Sequence, residues 1–216
     1  LTSLPNLTRE TGGLYGMWVI GGMPKVGKST LAWQVTLDVA RKMPVLYYDF
    51  ENGFAVLMDR TSSIFQGDTD AVRRAVENIF YFENIRSLDS DLAAIPAPAL
   101  VVIDSIQKLP ANIQYHRVGL DRWLHRLEAL KKRGYTVLIV SEIGRAMYGG
   151  DAYIGAYKET GEIEYTADTG LQLIDTGNPE RAELHIVANR HHRYRGMLTQ
   201  LIRRREWLWR ELGGPE

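Results

Sequence analysis

Cysteine is missing from the 216 residues altogether. That excludes disulfide frameworks and zinc–thiolate sites and fits a reducing cytosol, so a cytoplasmic location is expected. No apolar run reaches the ~18 residues of a membrane span, and no signal peptide is visible, so no membrane partner is expected. Net charge is absent too, because Lys+Arg and Asp+Glu are both 26. A neutral chain is not a bulk polyanion binder, and any nucleic-acid contact has to come from local clusters. Internal repeats are also lacking. Hydrophobic residues are plentiful at 45%, which excludes a disordered chain. The length suffices for one sizeable α/β domain over residues 1–216. The chain starts at Leu1 rather than Met, as a domain cut from a longer protein would.

The most informative stretch is Gly22, Met23, Pro24, Lys25, Val26, Gly27, Lys28 and Ser29, followed by Thr30. It fits G-x-x-x-x-G-K-[ST], the phosphate-binding loop. Its context fits as well. Met17 to Gly21 is short, apolar and β-branched, as a buried strand is, and Leu31, Val35 and Val39 recur at helical spacing after it. Glycines let the backbone bend round a phosphate, and the loop N–H groups and helix dipole face the anion. Lys28 is expected at the β- and γ-phosphates and the Ser29 hydroxyl on Mg²⁺, with ATP as the nucleotide.

Along the chain, residues 1–16 carry Pro5, Gly12, Gly13 and Gly16 and read as a leading loop. Strands are expected over 45–49, 78–82, 100–104, 135–141, 170–175, 183–188 and 197–202. Helices are expected over 53–65 and 120–133, the latter with Trp123, Leu124, Leu127 and Leu130 on one side. Residues 107–118 read as a polar loop, 145–161 as a long Gly/Tyr-rich stretch, and Gly177-Asn178 as a hairpin turn. Residues 203–216 form a C-terminal extension. Apolar runs alternating with helices predict a mainly parallel twisted sheet covered on both faces, with a C-terminal antiparallel hairpin. Ligands bind at the carboxyl ends of such strands.

Two acids complete the expected site. Asp104 ends the apolar strand Leu100-Val-Val-Ile-Asp104, as a carboxylate holding the Mg²⁺ shell does. Glu51 and Asp49 compete to orient and deprotonate water. Strand alternation puts both on one side, and Glu51, nearer the end and longer, is preferred.

Tyr48-Asp-Phe-Glu51, Val101-Val-Ile-Asp-Ser-Ile-Gln107, Val140-Ser-Glu-Ile-Gly-Arg145 and Lys158-Glu-Thr-Gly-Glu-Ile-Glu-Tyr-Thr-Ala-Asp168 resemble successive blocks of RecA-fold ATPases. The likeness runs from about Gly12 to Ile202. It is to the motor domain of hexameric replicative DNA helicases (DnaB-like) and to RadA-type repair ATPases. The resemblance implies a RecA-like P-loop fold, Glu51 activating water and Asp104 on Mg²⁺. Glu142 stands where the helicases carry a sensing glutamine, and a carboxylate there repels a γ-phosphate unless paired. Arg60 matches an arginine of the helix after the glutamate, and reads equally as a surface cation. Ile186 to Gly196 resembles a segment whose basic residues reach a neighbour's γ-phosphate. Asn189-Arg190 matches it, and Ala188 replaces its lysine. Arg190 is thus the first candidate finger in trans and Arg193 the second, with a solvated hairpin tip as the competing reading.

Arg203-Arg-Arg205 with Trp207 and Trp209 suits nucleic-acid binding, and suits better a strand with Trp packed inward. His191-His192 has no third ligand at a sensible spacing. The family implies DNA contact through Lys108 to Arg117 (with His116) and Arg145 to Lys158, where Tyr148, Tyr153 and Tyr157 could stack on bases. The expected activity is an oligomeric ATPase, a hexameric ring or filament, acting on single-stranded DNA as a helicase or remodelling enzyme. A regulatory or assembly switch without DNA contact is the alternative. A small-molecule kinase leaves Glu51 and the 158–168 block without a role.

Overall fold

A computed structural model describes residues 3–85, 87–111, 116–144, 152, 155, 162–203 and 207–212. The strands are β1 (Met17–Gly22), β2 (Val45–Asp49), β3 (Ile79–Phe82), β4 (Leu100–Asp104), β5 (Thr136–Glu142), β6 (Thr169–Asp175), β7 (Arg181–Asn189), β8 (Gly196–Arg203) and β9 (Trp209–Glu211). They form one sheet in the order β3-β2-β4-β5-β1-β6-β7-β8-β9. The first six are parallel, and β7, β8 and β9 extend the sheet by antiparallel pairing. The expected mixed α/β architecture is present, its antiparallel part longer by one strand than a hairpin and β8.

The apolar runs are fully buried because both faces are covered. In β1, Trp18 and Ile20 face one core and Met17 and Val19 the other; in β4, Leu100 and Val102 part from Val101 and Ile103 in the same way. The first core is closed by helices α1 (Pro5–Thr11), α2 (Lys28–Ala40), α3 (Phe54–Ile64) and α4 (Thr69–Val76). The second is closed by α5 (Leu88–Ala94), α6 (His116–Lys132) and α7 (Glu162–Thr166). Helix α6 buries Leu120, Leu124, Leu127 and Leu130, one stripe at helical spacing.

Two expected loops are corrected. Residues 1–16 contain α1: Pro5 sits in its first turn and Gly12, at φ 70°, closes it in the left-handed region. The residues read as loop signals are a helix's start and stop signals. The polar loop after Gln107 is shorter than expected, because Ile106–Lys108 form a 3₁₀ turn and α6 starts at His116. Residues 112–115 and most of 145–161, including Arg145, Tyr148, Tyr153, Tyr157 and Lys158, lie outside the described residues.

Candidate functional site

Strand β1 runs into the glycine loop and then α2. Gly27 precedes α2 at φ 103°, where a Cβ would also meet the Trp209 ring at 2.5 Å. Only glycine satisfies both demands. The Trp209 indole N–H donates to the Gly27 carbonyl (3.2 Å), so β9 clamps the loop from outside. Gln34 of α2 secures β9 in turn, donating to the Trp209 carbonyl (2.9 Å) and accepting its N–H (2.8 Å).

Lys28 is buried and donates through Nζ to the Met23 carbonyl at 2.8 Å. Burial lowers its pKa, against the opposing pull of Glu142, Glu51 and Asp104. Ser29 Oγ donates to Asp104 Oδ1 at 3.1 Å. Asp104 is fully buried and also accepts from the Tyr47 hydroxyl (2.9 Å) and Asn52 Nδ2 (3.2 Å). Burial raises its pKa to about 6, although the Tyr47 and Ser29 hydrogen bonds oppose the rise and Glu51 and Asp49 add to it. The serine hydroxyl and the carboxylate are hard oxygen donors of the kind that suits Mg²⁺, which takes one or two protein ligands and completes its shell with phosphate and water. Among the described residues no group of three His, Cys, Asp or Glu could hold a metal by itself.

The two competing acids part company. Strand β2 ends at Asp49, so alternation does not continue to Glu51. Asp49 is buried and closes the following turn. Its Oδ1 accepts from the N–H groups of Glu51 (3.0 Å) and Asn52 (2.9 Å), and its Oδ2 from Gly53 N–H (2.8 Å) and the Tyr81 hydroxyl (3.0 Å). Glu51 is exposed at the cleft, and its Oε1 accepts from Ser105 Oγ at 2.6 Å.

The cleft has a volume of about 360 Å³, and its walls include Pro24, Lys25, Gly27, Lys28, Ser29, Thr30, Glu51 and Glu142. Arg60 and Trp207 line it too. The Arg60 guanidinium lies 4.9 Å over the Trp207 ring, and among the described residues its Nε and Nη1 are buried without a hydrogen-bond partner. Arg60 therefore stands at the cleft. Of the two C-terminal tryptophans, Trp209 packs inward and Trp207 lines the cleft, half-buried.

Arg190 and Arg193 are not in this cleft. Arg190 follows β7, beside Asp168 at the start of β6 and β1. That is roughly 17 Å from Gly22 along β1, at 3.3 Å per residue. Its Nη1 meets Asp168 Oδ1 at 2.9 Å and its Nη2 donates to the Tyr165 carbonyl at 2.6 Å. Arg193 sits in the exposed turn before β8.

Asn52, Ser105, Tyr47 and Trp207 escaped the sequence reading. Asn52 and Ser105 were within reach, each one residue beyond an acid already singled out. Trp207 was assigned no place at the cleft, because only the β8–β9 pairing folds it back to a loop near the other end of the chain.

The sequence profile described as an AAA domain matches residues 13–146. No curated protein matches the sequence. Among solved structures, an ATPase domain of the DnaB-like helicase kind superposes with a TM-score of 0.80 at 17% identity, over 96% of this chain and 89% of that one. A DnaB-like replicative helicase, solved for its interactions with primase, gives 0.79 at 17% identity, over 96% of this chain; the chain spans 61% of that protein. The RadB recombinase gives 0.76 at 19% identity, over 98% and 99%. The fold is thus that of the RecA-like P-loop ATPases.

Proposed function

The chain belongs to the AAA domain family, and on that footing we propose that it binds Mg²⁺-ATP in the glycine-loop cleft and hydrolyses it, working as an oligomer on single-stranded DNA. The observation that carries the nucleotide reading is the Ser29–Asp104 contact beside buried Lys28. It joins the ends of two separate elements in the pattern that phosphoryl transfer uses.

Lys28 leaves the Met23 carbonyl to meet the β- and γ-phosphates. Ser29 and Asp104 would hold Mg²⁺, which offsets phosphate charge when bound. Glu51, exposed at the cleft and oriented by Ser105, takes the proton of the attacking water. Arg190 or Arg193 of a neighbouring copy supplies a guanidinium to the γ-phosphate, which makes hydrolysis depend on assembly. A ring or filament of such copies is the form in which the domain acts as a helicase or DNA-remodelling ATPase in replication or repair. The second reading, an ATP-dependent assembly switch without DNA contact, is favoured by the chain's zero net charge.

Phosphate release measured with and without single-stranded DNA, at two salt concentrations, separates them. Stimulation that fades with salt supports the DNA reading; turnover indifferent to DNA supports the switch. Lys28→Ala should lower turnover by about 10²–10³, the usual loss of a charge-stabilising donor, and unchanged turnover would sink the nucleotide assignment.

A further inference from the structure

Glu142 has no evident task in that mechanism, yet its position is fixed with care. It ends β5, the strand between those carrying the glycine loop and Asp104. It stands in register with Gly22, the first loop glycine, about one strand spacing (~4.8 Å) away. Two contacts hold its backbone there. Ile143 N–H donates to the Gly22 carbonyl (3.4 Å), and the Gln107 amide spans Ser141 Oγ (2.9 Å) and Glu142 N–H (3.4 Å). The side chain lines the cleft with Lys28 and Ser29.

We propose that Glu142 sets the cleft's preference between nucleoside diphosphate and triphosphate, as a fixed negative charge set against the terminal phosphate. The proposal rests on the nucleotide-binding reading above. Three carboxylates act on Lys28, and Glu142 is the strongest, ahead of Glu51 and Asp104. Asp104 answers to a metal and Glu51 to water, while Glu142 answers to Lys28 itself. A diphosphate needs only part of the Lys28 charge. A triphosphate brings one further negative charge into the space that Glu142 borders. Its carboxylate therefore opposes the longer ligand more than the shorter, and the site leans toward the product of hydrolysis. A glutamine there would keep the shape and remove the charge.

The test uses calorimetric titration with ATP and with ADP, both with Mg²⁺, in a Glu51→Gln background so that ATP is not consumed. Adding Glu142→Gln should raise the ratio of ATP to ADP affinity about tenfold or more, the usual effect of a unit charge within 4–6 Å. Glu142→Asp, which keeps the charge, should hold the ratio within about threefold, since Coulomb energy changes slowly over one ångström. Retained ADP binding shows in each case that the cleft is folded. An unchanged or falling ratio with Glu142→Gln overturns the proposal, and a fall would make Glu142 a helper of the triphosphate. If the Glu51→Gln background binds neither nucleotide, the nucleotide reading fails first and the proposal with it. If it binds both and only the ratio fails to move, the nucleotide reading stands without the selector.

Discussion

Two buried aspartates mark opposite ends of the parallel strands, and they are held in opposite ways. Asp104, at the carboxyl ends, is surrounded by neutral donors: the Ser29 and Tyr47 hydroxyls and the Asn52 amide. Burial drives its pKa up to about 6. Asp168, at the amino ends, is met by cations, Lys131 at 2.9 Å and Arg190 at 2.9 Å, and by Met17 N–H at 2.8 Å. Burial pushes its carboxyl up, but Lys131, the Met17 N–H and Arg190 outweigh that and hold it below the usual carboxylate range. A carboxylate saturated by its own chain's cations is a structural fastener. One left short of positive charge is fit to receive a cation from outside, at the cost of its own desolvation. Removing groups at the carboxyl ends should therefore cost turnover, and removing them at the amino ends should cost stability.

Arg190 is the residue that would break this division, since it sits at the structural end yet is proposed to serve a neighbour's cleft. Arg190→Ala should cut turnover of the assembled protein by about 10³–10⁵, the worth of an arginine finger. Stability should fall by no more than about 1 kcal/mol, because its half-exposed side chain is only one of the partners of Asp168. Mixing Lys28→Ala with Arg190→Ala should restore part of the activity through interfaces with one intact loop and one intact finger. Full turnover in both Arg190→Ala and Arg193→Ala would leave the basic hairpin a solvated tip.

The two acids after β2 sharpen the contrast within one turn. Glu51→Gln should reduce hydrolysis by about 10²–10⁴, with ATP binding kept and the melting temperature scarcely moved, since Glu51 is exposed. Asp49→Asn should destabilise by about 1–3 kcal/mol, because an amide cannot accept the full set of donors that Asp49 now satisfies. Chemical denaturation and single-turnover hydrolysis measure the two losses separately. The reverse pattern would make Asp49 the acid that activates water.

How much of this was legible in the sequence follows from how local each signal is. Lys28 and Ser29 are fixed by eight consecutive residues, and Asp104 by the five-residue apolar run it ends. The choice between Asp49 and Glu51 failed as geometry because alternation was carried past the end of β2, where the Asp49 side chain itself turns the backbone. Helix α1 was hidden because Pro5 and Gly12 serve helix ends as well as loops. Helix α4 buries only Ala75, so its sequence carries almost no apolar period. The place of Trp207 depends on pairing between β8 and β9, and no local pattern encodes a contact across most of the chain.

The smallest effect expected is at Asp168, and its pH dependence gives the test. Asp168→Asn leaves Lys131 and the Met17 N–H facing an amide, and breaking such a buried pair costs about 3 kcal/mol at neutral pH. An unfolded aspartate titrates near 3.9, and the folded Asp168 lies below the ordinary value. The unfolded state therefore takes up the proton first as pH falls. The stabilisation is fully present above the unfolded value and is lost as pH drops through the folded one. Denaturant midpoints of the parent and Asp168→Asn should differ most at pH 6–7 and converge below about pH 4. Turnover per folded molecule should change less than in Glu51→Gln, because Asp168 lies at the far end of β1 from the cleft. A gap in stability that stays constant from pH 7 to pH 3 would mean that Asp168 acts through shape and not charge, and the distinction between the two aspartates would lose its electrostatic basis.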